Sequence, residues 1–559
     1  MPVPSAPASA PSAGWEYADA PAAEVEPKPS RGSLLDQVLD RTAPLASRRD
    51  GQSGLALDRL AAFRRAADAG QERDAAVAWF GTGILQATLP DYETALARDI
   101  ARIERLVADQ VAAVLHQPQF QALEASWRSL HWLVAPLPSA AETDLGGEPA
   151  VEVRVLNADK GEVARSFRRA RSLEQSPLYR TIYENGLVQA GADPIGLLVG
   201  DYAFDASRPD VQTLRSLSQI AAISFAPLVA AAAPELLGFE SFAALDRRHD
   251  LDGTFGGPEY AAWRSFCDQE EARFVGLVAP RVLMRRPYED DGATDFGFRF
   301  REPVEAGDRP DADDAAGDWL VGLDTTSDEA GLDASRYLWA NAAYAVASVA
   351  IRSYRRTGWF GDVRGRSESG RGGGTIDRLP TAAFGSEAGL LARRPSTEIA
   401  LGRYWEETLA AAGLVPVVDL QDASGAVIPA LPSVHRRDGV SYGTDEAKAN
   451  ADLSSGLQHI LCAARFAHYL QTIARDKIGG TQSAEELESE LNGQWLMRYV
   501  SDSDLPDEQA VRLPLRDGRV ELEPVPGEAG SYRMTIFLKP QYQLDALESS
   551  LRFDRELLT

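Results

Sequence analysis

The sequence predicts a mixed α/β fold, and three observations predict it. Continuous apolar runs at residues 195–200, 274–278 and 413–420 have the length and composition of strands buried on both faces. Segments with apolar residues at three- and four-residue steps lie between and around them, the period of one helix face. Near the C-terminus the period becomes two: residues 518–540 read as two strands around a turn containing Pro526-Gly527.

Taken in order, residues 1–32 are rich in Ala, Pro, Ser and Glu. They cannot bury enough apolar area to offset chain entropy and are expected to be disordered. Residues 33–60 form an expected tethered arm. It opens with an amphipathic helix at 33–42, where Leu34, Leu35, Val38 and Leu39 share one face and Ser33 is the N-cap. Such a helix can lie in a partner's groove or dock on its own domain. Residues 61–140 read as helical. Leu96, Ile100, Ile103, Val107, Val111 and Val114 make one stripe. Pro118 opens a second helix, with Phe120, Leu123, Trp127, Leu130 and Val134 as its expected buried face.

Residues 141–440 are the expected α/β core. Val151, Val153 and Val155 alternate as a strand; Leu214, Leu217, Ile220 and Ala221 mark a helix; residues 289–333, rich in Asp and Gly, read as a surface excursion. A helix is expected over 337–358, closed by Gly358. Residues 441–559 are the expected C-terminal domain. A long helix carries Leu453, Leu457, Ile460, Leu461, Ala464, Ala467, Leu470 and Ile473, with a stop at Gly479-Gly480. A second helix over 483–500 starts from Ser483 with Glu486 at capping-box spacing, and the hairpin follows.

Composition narrows the function. At 559 residues the chain is too long for one ordinary core, and 44% hydrophobic with 25% charged residues is ordinary for a folded soluble protein. No apolar run is long enough to span a bilayer, and no basic, then apolar, N-terminal segment marks a secretory signal. The net charge of −26 disfavours general nucleic-acid binding. Cys267 and Cys462 are far apart in apolar contexts and read as buried reduced thiols.

No catalytic or cofactor constellation is present. The glycine run at 372–375 lacks the Gly-Lys-Ser/Thr ending of a phosphate loop. The acidic runs at 289–291 and 311–314 lack the calcium-loop pattern. His131 reads as structural, and His459 and His468 are nine residues apart, the wrong spacing for one metal. Asp201 after a strand reads as a turn cap, since no basic or nucleophilic partner is identifiable.

Several runs carry a resemblance. Arg465-Phe-Ala-His-Tyr-Leu470, Ile473-Ala-Arg-Asp-Lys-Ile-Gly479 and Trp495-Leu-Met-Arg-Tyr-Val500 resemble the large sheath subunit of the bacterial type VI secretion system, the TssC/VipB family. The run at 120–134, Asp193-Pro-Ile-Gly-Leu-Leu-Val-Gly-Asp-Tyr-Ala-Phe204 and the run at 272–288 follow the same family order. Matches extend from residue 34 to 551. Departures are the long tail, Arg394 where relatives often carry cysteine, and residues 422–437, which lack aromatic character.

The resemblance implies a structural, non-enzymatic, cytoplasmic subunit without cofactor or metal. It would pair with a small sheath subunit (TssB/VipA-like) and polymerise helically with other copies around an Hcp inner tube on a baseplate. Contraction would then drive delivery, without membrane insertion. It also implies that the ClpV AAA+ unfoldase reads the helix bearing Leu34, Leu35, Asp36, Val38 and Leu39. The hairpin with Val520, Leu522, Tyr532, Met534, Ile536 and Leu538 would exchange strands between subunits, offering an exposed edge. Rival readings are a sheath of another contractile or phage-tail-like particle, or an α/β enzyme with an unrecognised site.

Overall fold

The structure, a computed structural model, describes residues 65–80, 82, 88–137, 149–189, 191–246, 250–289, 300–302, 336–366, 372–385, 391–421, 425–436, 456–477, 484–501, 512–525, 532–540 and 551–557. The tail, the 33–42 helix, the Gly479-Gly480 stop, Ser483 and most of the 289–333 excursion lie outside the described residues. The chain divides into two compact units, Met1–Ile103 and Glu104–Thr559.

The first unit holds helix α1 (Ala69–Phe80) and the start of α2 (Leu89–Leu115). The Thr88 amide and hydroxyl both donate to Asp91 Oδ2, at 2.9 and 2.6 Å, which satisfies an amide at the start of α2. Trp79 Nε1 donates to Asp99 Oδ2 at 2.7 Å, linking α1 to α2.

In the second unit α2 ends and α3 (Pro118–Val134) begins with its proline in the first turn, as the sequence predicts. The buried face of α3 differs from the expected one. Ala125, Ser129 and Leu133 face inward, while Trp127 is 64% exposed and Leu123 is also exposed. Small residues let the helix approach the core closely; of the bulky stripe, Leu123 and Trp127 point away from it, while Phe120, Leu130 and Val134 are half-buried. Residues 150–159 form no strand: no strand among the described residues pairs with the alternation of Val151, Val153 and Val155, and Val155 stands exposed. Helix α4 (Lys160–Arg169) follows, opened by a complete capping box between Asp159 and Glu162.

The core sheet comprises β1 (Leu198–Phe204), β2 (Leu228–Ala232), β3 (Val275–Ala279) and, later, β7 (Leu414–Pro416). Their order is β1-β2-β3-β7, and every pair is parallel. Helix α5 (Arg208–Ile223) crosses from β1 to β2, and α6 (Ala261–Cys267) precedes β3. Next come β4 (Val282–Arg285), β5 (Leu338–Ala340), α7 (Ala343–Thr357), β6 (Thr375–Ile376) and α8 (Arg403–Ala411). After β7, the short strands β8 (Val418–Asp419) and β9 (Ala426–Val427) join β6 in an antiparallel sheet of order β8-β9-β6.

Strand alternation divides the core into two layers. Leu228, Ala230, Leu277 and Leu414 pack with Leu214 and Leu217 of α5, whereas Val229, Val278 and Val415 pack with Val346 and Val349 of α7. Helices on both faces explain why these strands read as continuous apolar runs. The helix expected over 337–358 is instead β5 followed by α7. Leu338–Ala340 pairs with β4, and Asn341 Oδ1 then accepts the Ala343 amide at 2.8 Å, turning the chain into the helix.

The C-terminal part holds α9 (Leu457–Lys477), α10 (Ala484–Glu490), β10 (Leu515–Pro524), β11 (Tyr532–Pro540) and β12 (Leu551–Leu557). Of the stripe expected on α9, Leu457, Ile460, Leu461, Ala464, Ala467 and Leu470 are buried, and Cys462, Ala463 and Phe466 are buried beside them. The helix is thus enclosed nearly all round over its middle turns. Gly276 of β3 leaves room for it, since a Cβ there would lie 2.6 Å from Leu457 Cδ2.

Candidate assembly interface

Three features lie outside the parallel sheet: two are surfaces a neighbour can use, and the other is an internal clamp. The first is the C-terminal sheet. β10 and β11 form the predicted hairpin, with Val520 opposite Ile536 and Leu522 opposite Met534. A third strand, β12, covers the other side of β11, so the sheet order is β10-β11-β12. The bare hairpin edge expected from the sequence is therefore corrected: β11 is a central strand. Residues 551–557 (LRFDREL) alternate apolar and charged residues except at Arg555, a strand signal that the sequence reading missed, and their partner is the hairpin itself.

The apolar face of this sheet turns inward. Leu515, Val520, Met534, Ile536 and Leu538 are buried in the main core cluster with Leu487, Leu491 and Leu496, while Leu522 and Tyr532 are half-buried. Gly518 permits the contact, because a Cβ there would stand 2.8 Å from Leu496 Cδ2. Side chains of the hairpin thus hold the sheet to its own chain, and backbone edges remain the groups a neighbour could use.

An aromatic cluster ties this part to the α/β core. Trp359, after α7, stacks on Phe466 of α9 with centroids 4.1 Å apart and planes 15° from parallel. Tyr499 meets Trp359 edge-on at 4.9 Å, and Trp495 meets Phe466 edge-on at 6.0 Å. Arg465 lies over Tyr469 at 4.4 Å and Tyr354 at 5.1 Å. These rings join three segments of the sequence into one packed joint.

The second feature is a charged clamp at the base of the helical pair. Arg285 of β4 donates to both Glu302 oxygens at 2.5 and 3.1 Å and to Glu124 of α3 at 2.8 Å. His116, after α2, lies 3.1 Å from Glu302. Burial by itself pushes the Glu302 carboxyl up, but hydrogen bonds from His116, Arg285 and the Tyr288 amide, with the Arg285 charge, outweigh it and hold the group at about 2.

The third feature is the stripe on α2. Leu96, Ile100, Ile103 and Val107 stand at steps of four, three and four, and they are 41, 48, 48 and 40% exposed. This is the spacing of a seam that packs against another helix.

The sites considered and set aside in the sequence have structural roles. Carbonyls of the 372–375 run are taken by Arg352, which donates to Gly373 and Thr375 at 2.5 Å each. Asp201 lies within β1 rather than at a turn, correcting the expected capping role. It hydrogen-bonds Tyr344, whose hydroxyl pKa is pushed up by burial and then by the Asp201 charge. His468 Nε2 lies 2.8 Å from the Ser224 carbonyl oxygen, and His131 is exposed. Arg394 lies over Tyr337 and Trp339, at 4.5 and 5.6 Å, and burial lowers its pKa. Cys267 and Cys462 are buried and not disulfide-bonded. Among the described residues no group of His, Cys, Asp and Glu could hold a metal, and no helix is long and apolar enough to cross a membrane.

Comparison with known proteins matches residues 97–435 to the family described as EvpB/VC_A0108, tail sheath N-terminal domain. Residues 446–557 match the EvpB/VC_A0108, tail sheath gpW/gp25-like domain. The chain belongs to the type VI secretion sheath family, as a large subunit of the TssC/VipB kind. A curated relative, the type VI secretion system sheath protein TssC1 of Pseudomonas aeruginosa, is 34% identical over 462 residues, covering 82% of this chain and 85% of the relative. The second matched segment holds α9, the Phe466, Trp495 and Tyr499 side of the aromatic joint and the whole C-terminal sheet, while Trp359 lies in the first.

Of the residues implied for assembly, the structure brings Val520, Leu522, Tyr532, Met534, Ile536 and Leu538 together on one hairpin. Leu34, Leu35, Asp36, Val38 and Leu39 lie outside the described residues. Sequence reasoning missed β12 and the Glu124–Arg285–Glu302–His116 clamp. The clamp joins residues up to 186 positions apart, and no local pattern announces such a pairing.

Proposed function

We propose that this chain pairs with a small sheath subunit of the TssB/VipA type. The pairs then polymerise helically around an Hcp inner tube on a baseplate in the cytoplasm, and contract to drive effector delivery. Membership of the sheath family over most of the chain is the observation that carries this reading. Two structural features support it. The exposed α2 seam fits an amphipathic helix of the small subunit, which would bury Leu96, Ile100, Ile103 and Val107. The C-terminal sheet offers backbone to strands from neighbouring protomers, and contacts of that head-to-tail kind generate filaments when they do not close.

The role is mechanical. Interlocked strands keep protomers joined while they swing, and contraction runs downhill because the contracted lattice packs better. ATP enters at recycling, through ClpV acting on the helix with Leu34, Leu35, Asp36, Val38 and Leu39. Co-expression with the small subunit tests the pairing. The two chains should co-purify, and Ile100→Asp with Ile103→Asp should abolish capture while leaving the helical content of this chain unchanged. Undiminished capture by that double variant would remove the α2 seam from the account.

A further inference from the structure

Three arginines, Arg281, Arg393 and Arg394, share the neighbourhood of two carboxylates, Glu398 and Asp419. Arg281 donates from Nε and Nη2 to the two oxygens of Glu398, at 2.7 Å each. Arg393 donates to both oxygens of Asp419, and Asp419 Oδ1 also accepts the Ser396 amide at 2.7 Å. Both carboxylates are thereby taken, and Arg394 is the cation left over.

Arg394 is nevertheless the most enclosed of the three, with 9% of its surface exposed. Its guanidinium lies over the rings of Tyr337 and Trp339, at 4.5 and 5.6 Å. Such ring contacts use a face of the group, whereas its N–H donors lie in its plane. Nε is buried without a hydrogen-bond partner, and among the described residues no oxygen accepts from either Nη. The Ser396 hydroxyl, two residues on, is buried without a partner as well. The backbone beneath the side chain is fixed. The Arg394 amide donates to the Ala382 carbonyl oxygen at 2.8 Å, and Leu391–Arg393 pairs with Ala383–Gly385 just before it. Burial pushes the guanidinium pKa down, against the Tyr337 and Glu398 charges that raise it. An arginine stays charged even so, and a buried charge without a hydrogen-bonded counter-charge is costly.

We propose that Arg394 is a receptor for a carboxylate group that the free chain does not supply. A planar monoanion fits the guanidinium edge, as the bidentate Arg281–Glu398 pair shows beside it. A phosphate, carrying close to two charges, would exceed the one cation that is unpaired here, on a chain whose net charge is already −26. The carboxylate arrives either as an Asp or Glu side chain of a second copy packed in the sheath or as a small free acid. Arg, Tyr and Trp are the residue types that anchor protein interfaces, which favours the side chain. That source rests on the sheath reading above; the receptor itself does not.

Thermal unfolding of the full chain, in sodium acetate against sodium chloride at equal ionic strength and pH 7, tests the receptor. The natural chain should melt higher in acetate, by a shift that grows with concentration and then saturates. Arg394→Met, which keeps an apolar stem over the two rings, should melt at the same temperature in both salts. Equal acetate shifts in the two proteins, or none in the natural chain, would overturn the proposal. If Arg394→Met does not fold, Arg394→Gln carries the same comparison. Sedimentation of tubules formed with the small subunit then decides the source. If a neighbouring copy supplies the carboxylate, Arg394→Met should raise the critical concentration for assembly severalfold, and acetate should raise it for the natural pair. Unchanged assembly by a variant that has lost its acetate shift assigns the receptor to a small free acid. Should the natural pair give no tubules at all, the sheath reading falls, while the acetate comparison still decides the site.

Discussion

Replacing Glu302 with glutamine tests the charged clamp that fastens α3 and the end of α2 to β4. The Glu302 carboxyl is held at about 2, against an ordinary value of 4.5, by His116, Arg285 and the Tyr288 amide despite its burial. At about 1.4 kcal/mol per pH unit, that depression corresponds to roughly 3 kcal/mol of stability. A carboxylate with a lowered folded-state pKa stabilises the fold fully above its unfolded value. The contribution is lost as pH falls through the folded value, so the window runs from 4.5 down to about 2. The difference between the natural chain and Glu302→Gln should therefore be roughly 3 kcal/mol at neutral pH, and linkage reduces it to about 2 kcal/mol near pH 3.5. Urea unfolding of both proteins, prepared identically and followed by tryptophan fluorescence from pH 7 to 3.5, measures it. A difference that stays constant across that range would show that the substitution acts through packing and that the ionic account is wrong.

Other expectations follow from the same contacts. Trp359→Ala removes the stack on Phe466 and should lower stability by about 3–5 kcal/mol, with loss of near-ultraviolet circular dichroism from the aromatic joint. Gly276→Ala places a methyl 2.6 Å from Leu457 Cδ2, and overpacking of this kind should cost about 1–3 kcal/mol in a thermal melt. Changing Leu34, Leu35 and Leu39 to Asp should abolish ClpV binding in a pull-down while tubules still form; undiminished binding would sever that helix from the unfoldase.

Much of the fold was legible because its signals are local. The buried strands at β1, β3 and β7 announced themselves as apolar runs, and α9 by its three- and four-residue steps, whereas β2 was not predicted. The hairpin was visible in its alternation. What failed depended on partners distant in sequence. Val151, Val153 and Val155 alternate like a strand, yet a strand exists only where another pairs with it. Phe120, Leu123, Trp127, Leu130 and Val134 form a perfect helical stripe, and periodicity cannot tell whether the chain itself or another chain covers it. The core instead takes the small side of α3, through Ala125 and Ser129. The segment at 337–340 looked helical by continuity with the alanine-rich run, and pairing with β4 overrode that tendency. For the assembly surfaces, the hairpin could be read, while the third strand was missed although 551–557 alternate apolar and charged residues except at Arg555. The Asn492 and Glu488 contacts with β10 span 28 and 34 residues and leave no trace in local composition.

Electron microscopy of this chain purified with its small subunit tests the central claim most directly. The account predicts long hollow tubules of uniform width, built from a repeating pair. A monodisperse preparation of unpaired chains, with no filaments at any concentration or salt, would contradict it.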